Sequence, residues 1–337
     1  MKSRLYKLAG ILISVLFVYL AVRKVDFSES VRVLGTMQFG WLSAAILVYF
    51  FSFPVRALRW RLILHHQKAL LFREILVPVL VGHTANNVLP ARAGEIYRAH
   101  FLGRRARMSR SGVVGSIVVE RTFDVMVLVS LMLFLFFLFP GTHFLGDAAL
   151  ASGLIFVALA AGILFYGLAV DGTHQMIDTI LAMLPKKLQI FVDHRLKSFL
   201  QGIRGVSTFG GSLKAVAYTL LIWALELSAM ALVVISFGVI LPLSGYLLVY
   251  TLAALGAALP SGPAYIGPYQ YAFVVALGFF AVSQEMALAI SIAAQVALLG
   301  SVTVIGLVLL LREQLRARPL STPESSEPRA AEGDQAL

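Results

Sequence analysis

The 337-residue chain has no cysteine, which excludes a disulfide framework, thiolate metal sites and cysteine nucleophiles. It is also poor in charge: 13% of its residues are Asp, Glu, Lys or Arg, against roughly 25% in a water-soluble domain. It has no Walker loop, no HExxH and no GxSxG, and no hydrophilic stretch long enough to form a soluble transfer domain. No catalytic residue, cofactor or metal site is therefore assigned. Acidic residues are scarcest, 17 against 28 Lys and Arg, which leaves a net charge of +11. What the chain has instead is hydrocarbon. It is 59% apolar with a mean hydropathy of +0.86, and in water that excess would expose large apolar patches. Lipid is the implied solvent.

Runs of about 18 apolar residues can cross a hydrocarbon core of roughly 30 Å as helices. Six such runs are predicted to span, at 5–22, 41–55 (continuing to Leu58), 113–139, 149–170, 213–238 and 286–311. The first has no small-x-small cleavage site at its end, so it reads as an uncleaved helix. Cations cluster at the N-terminus, between Arg56 and Arg73, between Arg92 and Arg110, between Lys186 and Lys214, and from Arg312 onward. Placing these groups in the cytoplasm puts 24 cations inside against Arg23, Lys24 and Arg32 outside, as the positive-inside rule demands. Both termini are then cytoplasmic. The +11 is thus mostly a topology signal, not a basic surface for nucleic acid.

Two further apolar stretches are interrupted by helix breakers. Segment 74–103 is broken around Asn86, Asn87, Pro90 and Gly94, and 243–281 around Pro260, Gly262, Pro263, Gly267 and Pro268. Non-helical backbone at membrane depth survives only inside protein or a wet cavity, so both read as re-entrant hairpins with tips at Leu89-Pro90 and Leu259-Pro260. Each follows one spanning helix and precedes another, and Ser109 with Ser116-Ile117 is weakly echoed by Ser283 with Ser291-Ile292. The expected fold is an all-α polytopic membrane protein: six spanning helices plus two re-entrant helical hairpins in an inverted-topology repeat, an architecture of many secondary transporters. The expected units are 1–38 (first helix and external loop), 39–139 (first half), 140–212 (connecting helix and a cytoplasmic amphipathic helix from Leu188), 213–311 (second half) and 312–337 (a disordered tail).

Ionisable residues inside the membrane are functional candidates by default. Glu120, Arg121 and Asp124 lie within the run 113–139, where they either pin the hairpin as ion pairs or gate a passage. Arg56 and Arg59 share a face at the end of the second helix, and Arg92, Glu95 and Arg98 follow the first tip. Arg92 and Arg98 are either interfacial positive-inside residues or ligands for a phosphate, which Arg binds bidentately and a helix N-terminus favours. Glu226 stands alone in its helix; it binds a cation or pairs with an arginine of the other half, and Arg56 lies 170 residues earlier. In the second half Glu226 is joined by the polar Tyr265, Gln270, Glu285 and Gln295. His65 and His66 read as solvated, and His83 as a lone histidine without metal-site spacing.

The run from Asn87 to Glu95 (NVLPARAGE), followed by Arg98 and by Glu120-Arg121-Thr122-Phe123-Asp124, resembles the lysylphosphatidylglycerol synthase transmembrane family, also called flippase-like. Arg59-Trp60, Leu259-Pro260-Ser261-Gly262-Pro263 and Ile266-Gly267 also resemble its pattern, so the likeness covers roughly 5–311. One departure is Ala264-Tyr265, where a Gly-rich turn is usual. The family's lysyl-lipid-forming members carry an aminoacyl transferase domain after the membrane part; none follows here, so lysyl-lipid synthesis is not expected.

The resemblance implies a bacterial inner-membrane lipid translocase, not an enzyme, that moves an anionic phospholipid or isoprenoid-linked lipid between leaflets. Its expected substrate-binding residues are Arg92, Arg98, Asn87, Glu95, Arg59, Arg56, Tyr265 and Gln270, and its gating charges Glu120, Arg121, Asp124 and Glu226. The expected partner is a membrane lipid with an anionic headgroup, and a homo-oligomer is compatible with the sequence. A second reading is a lipid-binding accessory subunit of a glycosyl or acyl transferase, with that enzyme as partner. A third is an intramembrane enzyme using Glu120 and Asp124.

Overall fold

A computed structural model describes residues 2–23, 25–89, 93–139, 154, 208–259 and 261–317. The run 149–170 (Leu154 aside), the amphipathic helix from Leu188 and the tail from 318 onward lie outside the described residues, as do Pro90, Arg92 and Pro260, while 312–317, expected at the start of the disordered tail, are helical. The described residues form helices and turns with no strand among them. In chain order these are α1 (Lys2–Val22), α2 (Phe27–Leu34), α3 (Phe39–Leu64), α4 (Phe72–Val88), α5 (Gly94–Arg105), α6 (Arg110–Leu138) and α7 (Phe209–Ile235), then α8 (Leu243–Ala258), a 3₁₀ turn (Pro263–Tyr265), α9 (Pro268–Gly278), α10 (Gln284–Ala294), a π-helical segment (Gln295–Gly300) and α11 (Ser301–Ala317).

Four described stretches are long and apolar enough to cross a membrane: Phe39–Leu64, Arg110–Leu138, Gly210–Ile235 and Gln284–Glu313. Their outward faces carry bare hydrocarbon such as Leu47, Phe51, Phe137 and Val304, which is stable where lipid is the solvent. Helix α3 runs past its apolar stretch because Ala57, Trp60 and Leu64, at helical spacing, are all buried. Arg56 and Arg59, counted above with the cytoplasmic cations, sit on this extended α3 and Arg98 on α5, where carboxylates neutralise all three.

Both interrupted stretches break where Pro and Gly predict. Helices α4 and α5 pack against each other across the first break, and α8 and α9 across the second. At the first, Gly94 is pressed so closely on Gly82 and Asn86 of α4 that any side chain would strike their backbone. At the second, Gly267 takes φ +102° against the Ser14 carbonyl of α1, a conformation open to glycine. Ala264 and Tyr265 also hold positive φ, 54° and 62°. The turn has a glycine-type backbone where the sequence lacks glycine.

The helices after the two breaks start alike. Ser109 and Ser283 are their N-cap residues, and Ser116 and Ser291 are fully buried, each donating to the carbonyl three residues back. Packing between the halves is extensive: α3 lies along α7, α4 packs on α11, and α8 packs on α6. An unexpected element is α2, set in the expected external loop. Asp26 caps it by accepting from the Ser28 and Glu29 amides at 2.8 and 3.4 Å, and it packs on α10.

Candidate functional site: a charge-lined cavity between two hairpins

Four arginines and four carboxylates meet where α3, α5, α6 and α7 converge. Glu120 is 1% exposed and holds three arginines. Its carboxylate accepts both terminal nitrogens of Arg98, lies 3.2 Å from Arg59 Nη2, and accepts from Arg121 Nη2 at 2.7 Å. Arg59, fully buried, also donates to Asp124 Oδ1 at 2.6 Å and to Thr219 Oγ1 at 2.9 Å. Arg98 lies 3.9 Å over the Trp60 ring, whose Nε1 donates to Ser116 Oγ at 3.0 Å. Across the interface between the halves, Arg56 donates from Nε (3.1 Å) and Nη2 to Glu226, whose other oxygen accepts from Tyr250 Oη at 2.8 Å. The partner that the 170-residue offset suggested for Glu226 is the one it has.

This cluster is electroneutral among the described residues: Arg56, Arg59, Arg98 and Arg121 face Glu95, Glu120, Asp124 and Glu226. Desolvating an ion in protein costs several kcal/mol unless partners and hydrogen bonds replace its water, and here every one of the eight groups has an oppositely charged partner, although the Nε atoms of Arg59, Arg98 and Arg121 make no hydrogen bond. The network thus locks α3, α5, α6 and α7 together.

Beside it opens a cavity of about 190 Å³. Arg56, Arg98, Arg121, Glu95 and Glu226 form its charged wall. Tyr49, Tyr250, Tyr265 and Tyr269 form an aromatic wall, while His83, Asn86 and Asn87 come from the first hairpin. Helix α5 begins at Gly94 on its rim, so the amides of that first turn favour an anion there. Asn86 Oδ1 and Arg98 Nε are buried and have no hydrogen-bond partner, an exception to the usual pairing of buried polar groups. His83 Nδ1 lies 2.9 Å from the Val79 carbonyl, and no metal-binding cluster occurs among the described residues.

The tips are tied to the π-helical segment. Asn87 donates to the Leu299 carbonyl and Thr303 Oγ1 at 3.1 and 2.9 Å. Gln270 Nε2 donates to Gln295 Oε1 at 2.6 Å, Gln295 donates to the Ala264 carbonyl, and the Gly267 amide donates to Gln270 Oε1 at 2.8 Å. Ser14 Oγ, from the middle of α1, accepts from the Gly262 amide at 2.8 Å.

Of the expected substrate-binding residues, Arg56, Asn87, Glu95, Arg98 and Tyr265 line the cavity. Two do not line it: Arg59 lies fully buried within the network, and Gln270 fastens the second tip. Arg92 lies outside the described residues. Of the expected gating charges, Arg121 and Glu226 reach the cavity, while Glu120 and Asp124 brace their arginines. Sequence reasoning passed over Tyr49, Tyr250 and Tyr269; a phenol inside an apolar helix was the available signal.

Fold and site define a multi-pass helical membrane protein with a charged cavity where two helical hairpins meet. Residues 7–306 match the family described as Lysylphosphatidylglycerol synthase TM region, and the chain belongs to that family. It is similar to a Haloferax volcanii protein named Glycosyltransferase AglD, 27% identical over 343 aligned residues that cover 88% of this chain. The chain spans about half of that relative's length, 53%. No solved structure matches.

Proposed function

We propose that the chain is a lipid translocase that admits a phosphate-bearing headgroup to the cavity between the hairpins and passes it between leaflets, without breaking or making bonds itself. The observation that carries this reading is the cavity, a polar chamber in a lipid-embedded helical body. Crossing hydrocarbon unaided would strip a charged headgroup of its water. Because the arginines are already paired, the headgroup competes with carboxylates instead of meeting free cations. The α5 N-terminus and Arg98 Nε favour an anion, and Arg92, two residues before α5 in the sequence, is the further cation this reading assigns to the headgroup.

In this reading the fold is an inverted-topology repeat in a bacterial inner membrane, with six crossings and both termini cytoplasmic. Exchanging the halves supports it: α3 swaps with α7, and the α4–α11 contact swaps with α8–α6. Depth supports re-entrance. Ser14, which clasps the second tip, is near the middle of the α1 helix Lys2–Val22, and Leu299 and Thr303, which hold the first, lie midway along Gln284–Glu313.

The test uses liposomes containing fluorescent phosphatidylglycerol, whose exposure to an external reductant reports transbilayer movement. Protein accelerates the movement; Arg92→Ala and Asn86→Leu, folded by size-exclusion profile, abolish it. Wild-type vesicles no faster than protein-free ones, across several anionic lipids, would sink the reading.

The relative's name favours a second reading, in which the chain presents a lipid to a glycosyl transferase. That reading expects co-purification with such an enzyme, loss of its activity on deletion, and no movement in liposomes.

A further inference from the structure

The charged cavity shares a wall with a second hollow. Glu95 and Arg121 line the cavity on one side and, on the other, an outward groove of about 200 Å³ between the start of α5 and the face of α6. The groove is otherwise hydrocarbon, chiefly Ile96, Val114, Ile117, Val118 and Val125. Ile96 is 74% exposed and Val114 and Val118 38% each, so among the described residues the groove opens away from the core. Val114 to Val125 covers about 16 Å of helix at 1.5 Å per residue, long enough to cradle part of an alkyl chain.

The contact that closes the wall is the loosest of the network. Arg121 Nε stands 3.4 Å from Glu95 Oε1 with no hydrogen bond, whereas its terminal nitrogens lie 2.7 Å from Glu120 and 3.2 Å from Asp124. Glu95 and Arg121 are also the most exposed pair of the network, at 28% and 32%. Arg121 therefore stays anchored to its own helix when Glu95, on α5, swings away.

We propose that the Glu95–Arg121 pair is a lateral portal for a phospholipid. The headgroup occupies the cavity, the phosphate linkage passes between Glu95 and Arg121, and an alkyl chain lies in the α5–α6 groove. The proposal rests on the lipid-handling reading above and adds the route by which the chain stays in hydrocarbon while the head moves. The phosphate is the junction of head and tail, so the Arg121 Nε that has no hydrogen bond sits where the linkage must cross. The occupant follows from continuity: a groove with apolar walls opens through an ion pair onto a polar chamber, which matches the two ends of one amphipathic molecule.

The cysteine-free chain allows a direct test. Val118→Cys, labelled with a bimane fluorophore in detergent, is titrated with phosphatidylglycerol brominated on its acyl chains, a contact quencher. Phe137→Cys, on the same helix but outside the groove, is the control. Quenching at Val118 is expected to saturate at about tenfold lower lipid than at Phe137 and to be reversed by excess glycerol phosphate, which fits the cavity but has no chain. Glu95→Gln, which unlatches a half-exposed pair, is expected to speed saturation about threefold. Equal titrations at the two positions, or saturable quenching that glycerol phosphate leaves untouched, overturn the portal. Failure of the translocase reads out differently: no movement in liposomes together with saturable, competed quenching at Val118 removes translocation and keeps the portal.

Discussion

The two hairpins share a plan and differ in what holds them. The first adds charge to its neutral Asn87 bonds: Arg98 of α5 is clamped by Glu120, which also holds Arg59 and Arg121. The second is fixed by neutral groups, namely the Gln270–Gln295–Ala264 relay and the Ser14 hydroxyl. The difference is one of cooperativity. A buried ion cluster fails as a unit, because removing one member strands the others without water, whereas a chain of amides loses one bond at a time. The cavity lies between a stiff charged wall and a more easily loosened neutral one.

The largest expected effect breaks the charged side. Glu120→Ala strands Arg98, 3% exposed, and leaves the fully buried Arg59 with Asp124 as its one carboxylate; it should cost about 3–5 kcal/mol, read as a collapse of the thermal midpoint in detergent. A midpoint near wild type would erase the contrast. Next, Glu226→Leu alone should cost about 3 kcal/mol by stranding Arg56, while Arg56→Leu/Glu226→Leu should recover much of it in a double-mutant cycle. Additive losses would mean that the pair does not couple the halves.

On the neutral side, Gln295→Leu removes both its bonds and should cost about 1–3 kcal/mol, less than Glu120→Ala in the same assay. A larger loss reverses the comparison. Ala264→Gly should stabilise by about 1 kcal/mol, since it relieves a left-handed residue at φ 54°; a lower midpoint would show that the methyl group packs usefully.

The smallest effect lies outside the four candidate spans. The Ser28 and Glu29 amides hold the Asp26 carboxyl below the usual carboxylate range. A lowered folded-state value means that its contribution is present above the unfolded value of about 3.9 and is lost as pH falls through the folded one. Hydrogen exchange in α2 should therefore quicken on acidification in the wild type and much less in Asp26→Asn, which keeps an acceptor. Equal acceleration in both would place the acid sensitivity elsewhere.

Much of this was legible in the sequence. The described spans follow apolar runs, both breaks fall where Pro and Gly cluster, and the 170-residue offset pointed to Arg56 and Glu226. Arg59 and Arg98 were harder, because a charge count cannot see a helix continuing through them. The clue was the spacing of Ala57, Trp60 and Leu64, which marks a buried face beyond Arg56. The Ser14 clasp, 248 residues from its partner, left no local trace, since a serine in an apolar helix is common.

By itself the sequence determined the solvent, the helices and the points at which they break. These follow from hydropathy and backbone sterics, which act over a few neighbouring residues. Only the tertiary structure decided which charges neutralise one another, that Arg59 is buried within the network while Arg121 reaches the cavity, and that Glu95 and Arg121 divide a polar chamber from an apolar groove. A buried charge depends on the partner brought to it, and here the partners lie up to 170 residues apart.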